Sequence, residues 1–224
     1  MTFDLKSIVV RILDTVGDTV GAGFVLNANG LIATCAHVVH DAGSGPGKTV
    51  NIVFLHNGQP ATATVLKGAW RSPESIDIAI LQVDSALPKG IAPLPLGSSL
   101  LVKGHAFETF GFPDSNPVNG IPGQGTFLDR TTLDDFNAPV ITVRSQEVTG
   151  GYSGGPVFDT TEQHVVGMVT AIPKPDKQWR QLQTAFITPV EDIVAAYPAL
   201  VDILQPNTLT EKIEAYKSFI LEHW

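Results

Sequence analysis

Several features are scarce in this sequence of 224 residues, and each scarcity argues against a class of protein. There is one cysteine, Cys35, so no disulfide can form within the chain, and we expect a reducing, cytoplasmic location. Charged residues make up only 16%, the formal net charge is -8, and no run of Lys or Arg occurs. An acidic chain of this kind is not expected to bind nucleic acid or an anionic membrane. No apolar run approaches the roughly 20 residues that cross a bilayer, and no signal-peptide pattern opens the chain.

What dominates instead is a series of short β-prone runs separated by Gly, Pro, Asn and Asp. Two turns are especially clear: Asn27-Ala-Asn-Gly30 and His56-Asn-Gly-Gln59, the second with Asn-Gly between two such runs. A stretch rich in Pro, Gly and Ser at residues 84 to 102 connects two halves of similar style. Many short strands at regular spacing predict an all-β protein, built as an antiparallel sandwich or a pair of barrels.

Two helices are predicted near the end of the sequence. The first follows Pro189, which stands near the first helical position with acidic residues in the first turn. The second begins near Thr210 and repeats apolar residues at helical spacing. These repeated residues are Leu209, Ile213, Tyr216 and Ile220.

Four glycines surround one serine in Gly150-Gly-Tyr-Ser-Gly-Gly-Pro156. A nucleophilic serine needs a base, a group that orients the base, and donors for the developing oxyanion. The backbone N–H groups of Gly151 and Ser153 are candidates for those donors. His37, at the end of a predicted strand, is the candidate base. Asp77, at the start of the apolar run Asp77-Ile-Ala-Ile-Leu81, is the candidate orienting carboxylate, because a lone buried carboxylate is costly.

These segments resemble those of chymotrypsin-fold serine peptidases. The motifs Thr34-Cys-Ala-His-Val-Val39, Asp77-Ile-Ala-Ile-Leu81 and Gly151-Tyr-Ser-Gly-Gly-Pro-Val157 stand in that family's order. The chain is most similar to the protease domain of the HtrA (Deg) branch, over roughly residues 8 to 190. Supporting segments are Gly21-Ala-Gly-Phe-Val-Leu26, His56-Asn-Gly-Gln59, Phe110-Gly-Phe-Pro113, Val166-Gly-Met-Val-Thr-Ala-Ile172 and Phe186-Ile-Thr-Pro189.

The resemblance implies two packed six-stranded antiparallel β-barrels, with C-terminal helices and an active site between the barrels. A peptidase domain is expected over residues 1–204, with barrels at 5–84 and 103–188, a linker at 85–102 and a helix at 189–204. Residues 205–224 are expected to form a terminal helix, a candidate linker to a further domain.

By the same resemblance, Ser153 attacks a peptide carbonyl, His37 takes and returns the proton, and Asp77 orients the imidazole. No cofactor or metal is expected, and the partner is a polypeptide substrate. Cys35 lacks a second cysteine or a His-x-x-x-His motif nearby, so it is interpreted as a small buried residue.

Two departures from the family pattern bear on regulation. Tyr152 precedes the serine where clip-activated members have aspartate and the HtrA branch usually has asparagine, so activation by clipping is not expected. HtrA proteins also carry a PDZ domain and usually a signal or anchor, and neither is recognised here. The chain is therefore expected to be an intracellular, regulated protease module of a larger bacterial protein, with an activating partner or further domains. The alternative is a catalytically silent binding module.

Specificity is predicted by family spacing alone. Glu147 is expected at the floor of the S1 pocket, where a carboxylate would favour Lys or Arg in the substrate, although it could instead point to solvent. The HtrA branch usually prefers small aliphatic residues. Thr170, Ala171 and Ile172 are expected to form one wall of the pocket.

Overall fold

A computed structural model of the chain describes residues 4–133, 138–171 and 183–205. Within these residues, the short apolar runs of the sequence form two antiparallel β-barrels followed by a short helix. The prediction of two six-stranded barrels with a C-terminal helix is confirmed for this part of the chain. Residues 206–224, where the last helix is predicted, lie outside it.

Six strands close the first barrel in the order β1-β2-β3-β6-β5-β4. Gly30, with a φ of +82°, closes the predicted turn between β2 and β3, and Gly58, with a φ of +71°, closes the turn between β4 and β5. Both backbone conformations suit glycine because it lacks a Cβ. A short helix, α1 (Ala36–Asp41), follows β3. The strands are β1 Val9–Leu13, β2 Thr19–Val25, β3 Leu31–Thr34, β4 Thr49–Phe54, β5 Pro60–Arg71 and β6 Ile78–Val83.

Six further strands close the second barrel in the order β11-β8-β9-β10-β13-β12, with β11 paired to β12. Two short strands, β7 (Leu96–Gly97) and β14 (Leu204–Gln205), extend the β12 edge through parallel pairings. The barrel strands are β8 Ala106–Gly111, β9 Ile121–Leu133, β10 Ala138–Arg144, β11 Pro156–Asp159, β12 His164–Ala171 and β13 Thr184–Pro189.

The two barrels share an apolar contact and a helical strap. Phe110 and Phe112 of the second barrel pack edge to face against each other and form one apolar cluster with Val9 and Ala22 of the first. Helix α2 (Val190–Ala196) leaves β13 and buries one face in the core of the first barrel. No helix among the described residues is long and apolar enough to cross a bilayer. The boundaries proposed for the domain and its linker stay predictions.

The second barrel contains a buried carboxylate at the end of one strand. Asp159, at the end of β11, is fully buried, and its Oδ2 lies 2.7 Å from Nδ1 of His105. Its Oδ1 accepts hydrogen bonds from the backbone N–H groups of Thr161 and Glu162. The carboxylate therefore joins the β11–β12 turn to the segment before β8.

We expect Asp159→Ala to lower the free energy of unfolding by about 2–4 kcal/mol, since it leaves the turn donors and His105 without their acceptor. The exposed Asp84, which accepts from Thr62 and Thr64, is a matched control. Its replacement by alanine should cost about 1 kcal/mol or less. Urea unfolding measures both, and equal losses for the two variants would contradict the structural role given to Asp159.

Candidate active site

His37 lies in the first turn of α1, where backbone N–H groups have no acceptor within the helix. Its own N–H donates to Oδ1 of Asp77 at 2.8 Å, so a carboxylate from a distant loop supplies the missing acceptor. The same carboxylate places Oδ2 at 2.6 Å from Nδ1 of the imidazole. Backbone and side chain of His37 are thus held by one group.

Asp77 ends the loop that precedes β6, in a left-handed conformation with a φ of +59°. Aspartate tolerates this conformation better than most side chains, and the N–H of Asp77 donates to the carbonyl of Ser72 at 3.1 Å. Thr170 of β12 donates a third hydrogen bond to the carboxylate, at 3.2 Å from Oδ2. Only 13% of the Asp77 side chain is exposed, and these donors replace the hydrogen bonds that it would otherwise make to water.

The electrostatics of the pair favour the protonated imidazole. Burial lowers the pKa of His37, but the hydrogen bond and negative charge of Asp77, with a further contribution from Asp41, raise it by more. The pKa of His37 therefore lies above its usual value. Because a carboxylate only accepts, Nδ1 carries the hydrogen in the neutral ring, and Nε2 is left to take up or release a proton.

The glycines around Ser153 are explained by close backbone approach. A Cβ on Gly151 would lie 2.3 Å from the carbonyl oxygen of Phe112, and one on Gly154 would lie 2.0 Å from that of Ala22. Both residues also have positive φ, +92° and +82°. A side chain at either position would therefore collide with main chain and strain the backbone. The loop is a packed turn rather than a flexible linker.

Two hydrogen bonds tie this turn to both barrels. The carbonyl of Ser153 accepts from the N–H of Ala22 in the first barrel at 2.9 Å, and the N–H of Gly154 donates to the carbonyl of Val169 in the second at 2.8 Å. Thr34, at the end of β3, donates to the carbonyl of Ala22 at 2.7 Å. Ser153 is thereby positioned against the same strands that lead to His37.

His37, Asp77, Ser153 and Thr170 line one cavity of about 450 Å³. Among the described residues, no hydrogen bond joins Ser153 Oγ to the imidazole, and the N–H groups of Gly151 and Ser153 donate to no other described residue. These two N–H groups stay the predicted donors to the oxyanion. The other residues that line the cavity carry no motif and were not predicted from the sequence; they are Pro73, Glu74, Ser75, Ile76, Leu133, Ala138, Val140 and Thr188.

The residues predicted to set substrate specificity do not lie together around this cavity. Glu147 is exposed and lies outside that cavity, because Ser145 Oγ accepts from the N–H groups of Glu147 and Val148, in a turn that buries Val148. The place of Glu147 at the floor of the S1 pocket stays a prediction. Thr170 does line the cavity, and it also binds Asp77. Ala171 ends β12, where it pairs with Phe186, and Ile172 lies outside the described residues.

Tyr152, which stands where the family has aspartate or asparagine, anchors the loop that carries Ser153. Its side chain is 1% exposed and packs where Cβ atoms would stand at Gly111 and Gly123. Its hydroxyl donates to the carbonyl of Pro122 at 3.4 Å. Burial, with a smaller contribution from the charge of Glu147, raises the pKa of Tyr152 to about 12. In the sequence, the glycines at positions 111 and 123 were the only indication that a large side chain packs against these two strands.

Two barrels that bring an Asp–His pair and a glycine-flanked serine to one cavity define the class of chymotrypsin-fold serine peptidases. The chain belongs to the family of trypsin-like peptidase domains, whose sequence model matches residues 21–168. The predicted resemblance to the HtrA branch is confirmed by the curated relatives.

Two curated relatives carry the name "Probable periplasmic serine endoprotease DegP-like". The one from Rickettsia prowazekii is 26% identical over 162 residues, and the one from Halomonas elongata is 28% identical over 155 residues. Each match covers 69% of this chain but only 28% and 30% of the respective relative. The chain thus spans less than a third of the length of these proteases.

Solved structures share the fold. The Rv3671c protease from M. tuberculosis, in its active form, is 24% identical, with a TM-score of 0.65 over 90% of this chain and 84% of that one. The HtrA-type protease AlgW with a decapeptide is 20% identical, with a TM-score of 0.65 over 82% of this chain and 52% of that one. At these identities, the likeness establishes the double barrel alone.

We expect Asp77→Asn to lower the pKa of His37 relative to the parent protein. The asparagine keeps an acceptor near Nδ1 and tolerates the left-handed backbone, but it removes the charge that raises the pKa, while burial continues to lower it. Titration of the His37 ring signals by NMR measures the change. An unchanged pKa would show that Asp77 does not control the charge of His37.

A pair of Tyr152 variants separates packing from hydrogen bonding. Tyr152→Ala should lower the free energy of unfolding by about 3–5 kcal/mol, because it empties the space between Gly111 and Gly123. Tyr152→Phe keeps the ring, loses only a long hydrogen bond and should cost about 1 kcal/mol or less. Urea unfolding of both variants provides the measurement. If phenylalanine is as damaging as alanine, the hydroxyl and not the ring anchors the loop.

Proposed function

We propose that the chain is a serine endopeptidase that cleaves peptide bonds through an acyl-enzyme intermediate. The observation that carries the proposal is the doubly held His37, whose Nδ1–H is bound by Asp77 at 2.6 Å in the cavity that Ser153 also lines. Nε2 is left as the base for the hydroxyl of Ser153. Membership of the trypsin-like peptidase family supports this assignment.

The proposed reaction begins when Nε2 of His37 takes the proton of Ser153 as Oγ attacks the substrate carbonyl. The imidazolium is stabilised by Asp77, which Thr170 holds in place. The N–H groups of Gly151 and Ser153 stabilise the oxyanion, and His37 then returns its proton to the leaving amine. Water hydrolyses the acyl-enzyme by the same route. The hydrogen bond between Ser153 and His37 is expected to form once substrate enters, since such bonds are often long in unliganded sites.

The substrate class is an extended or unfolded polypeptide. AlgW is named with bound peptides, which supports a polypeptide ligand for the shared fold. The apolar residues Ile76, Leu133 and Val140 line the cavity beside Ser153. Basic specificity through Glu147 is not proposed, because its carboxylate lies on another part of the surface.

A second candidate function is a catalytically silent peptide-binding module. It is favoured by one observation, the lack of a hydrogen bond between Ser153 and His37 among the described residues. The cytoplasmic location, the role as a regulated module of a larger bacterial protein and the activating partner stay predictions. The relatives of known sequence are named periplasmic.

We expect Ser153→Ala to lower the rate of hydrolysis of unfolded casein by roughly 10³-fold or more, because the nucleophile is lost while binding is kept. Ser85→Ala, at an exposed serine of the connection between the barrels, is the matched control and should keep the parent rate. The release of new N-termini, followed by mass spectrometry, gives the rate and the cleavage sites. Equal rates for Ser153→Ala and the parent would refute the assignment, and no hydrolysis by the parent would favour the silent module.

A further inference from the structure

Cys35 lies directly behind the Asp77–His37 pair. Its Sγ, a ring nitrogen of His37 and a carboxylate oxygen of Asp77 all lie within 4.8 Å of one another. The cysteine is fully buried between the barrels, where its thiol donates to the carbonyl of Val169 at 3.4 Å. Spacing along the sequence did not reveal this cluster, because Asp77 comes from a distant loop.

We propose that Cys35, His37 and Asp77 bind a thiophilic divalent cation, such as Zn²⁺ or Cd²⁺, and that this binding switches the enzyme off. Thiolate, imidazole and carboxylate are the donors that Zn²⁺ takes in proteins, at about 2.0–2.3 Å and in tetrahedral geometry. Such bond lengths place two donors about 3.4–3.6 Å apart. The three donors therefore need only small movements: the distance between His37 and Asp77 increases from 2.6 Å, and Cys35 moves closer to both.

Charge balance favours a divalent ion at this position. The thiol of Cys35 releases its proton to solvent as the sulfur–metal bond forms, which leaves a thiolate beside the carboxylate of Asp77. Two neighbouring buried anions are costly alone, and a doubly charged cation between them neutralises both. The ion would reach His37 and Asp77 from the cavity, where 32% and 13% of their side chains are exposed, and would displace the His37–Asp77 hydrogen bond to reach the buried Cys35. A water molecule from the cavity can complete the tetrahedron.

Either ring nitrogen gives the same functional outcome. A metal on Nδ1 forces the hydrogen onto Nε2, which then accepts no proton from Ser153. A metal on Nε2 occupies that position outright. Inhibition therefore rests on the function proposed above, whereas metal binding does not.

The test is a Cd²⁺ titration of the metal-free protein, followed by the ultraviolet charge-transfer band of a cadmium–thiolate bond. The chain has a single cysteine, so any such band reports Cys35. We expect the band to saturate at one cadmium per chain. No thiolate band at excess Cd²⁺ would overturn the proposal.

Two variants separate the cluster from surface histidines. Cys35→Ala should lose the band, and its circular dichroism spectrum checks the fold. His40→Ala, at an exposed histidine of the same helix, should keep it. Loss of the band in His40→Ala would overturn the assignment of ligands. If Cys35→Ala does not fold, the band of the parent protein decides alone.

Hydrolysis of unfolded casein then tests the switch. We expect saturating Cd²⁺ to abolish the activity of the parent protein and to leave that of Cys35→Ala unchanged. Full activity of the parent with the thiolate band saturated would overturn the inhibition. A parent that is inactive without metal, yet shows the band, would instead refute the proposed function while supporting the metal site.

Discussion

The hydrogen bond from the N–H of Ala22 to the carbonyl of Ser153 is the constraint on which the candidate site depends. It joins the serine turn of the second barrel to β2 of the first, at a separation that only glycine at position 154 permits. The main chain on both sides is fixed by strand pairing, so the hydroxyl of Ser153 is delivered to the cavity by backbone contacts. Sites of this kind are precise because regular elements, not flexible side chains, set the geometry.

The Asp77–His37 pair also depends on contacts from both barrels. A carboxylate placed among buried strands is stable only when donors replace water, and Asp77 receives one hydrogen bond each from the backbone of His37, its imidazole and Thr170. These donors come from both barrels, so the ion pair and the interface between the barrels stabilise each other. Cys35 fills the space behind them. The close packing that orients His37 also brings the donor atoms of Cys35, His37 and Asp77 within reach of one metal ion.

Much of this arrangement follows from the sequence, for identifiable reasons. Turn residues such as Asn27-Ala-Asn-Gly30 have local conformational requirements, so strand boundaries in the first barrel were predictable. The motifs around His37, Asp77 and Ser153 were also recognisable, because each is a short contiguous segment whose local conformation depends on its own residues. The position of Glu147 was not, since one turn at Ser145 decides which way its side chain points. The anchoring role of Tyr152 and the proximity of Cys35 to Asp77 depend on packing between distant segments, which spacing does not encode.

We propose that Ser153 is a nucleophile activated by His37 and Asp77. The most direct test of this proposal is intact-mass analysis after incubation with a fluorophosphonate, which reacts with activated serines. We expect a single adduct on the parent protein and none on Ser153→Ala. No adduct on the parent, or an equal adduct on both proteins, would contradict it.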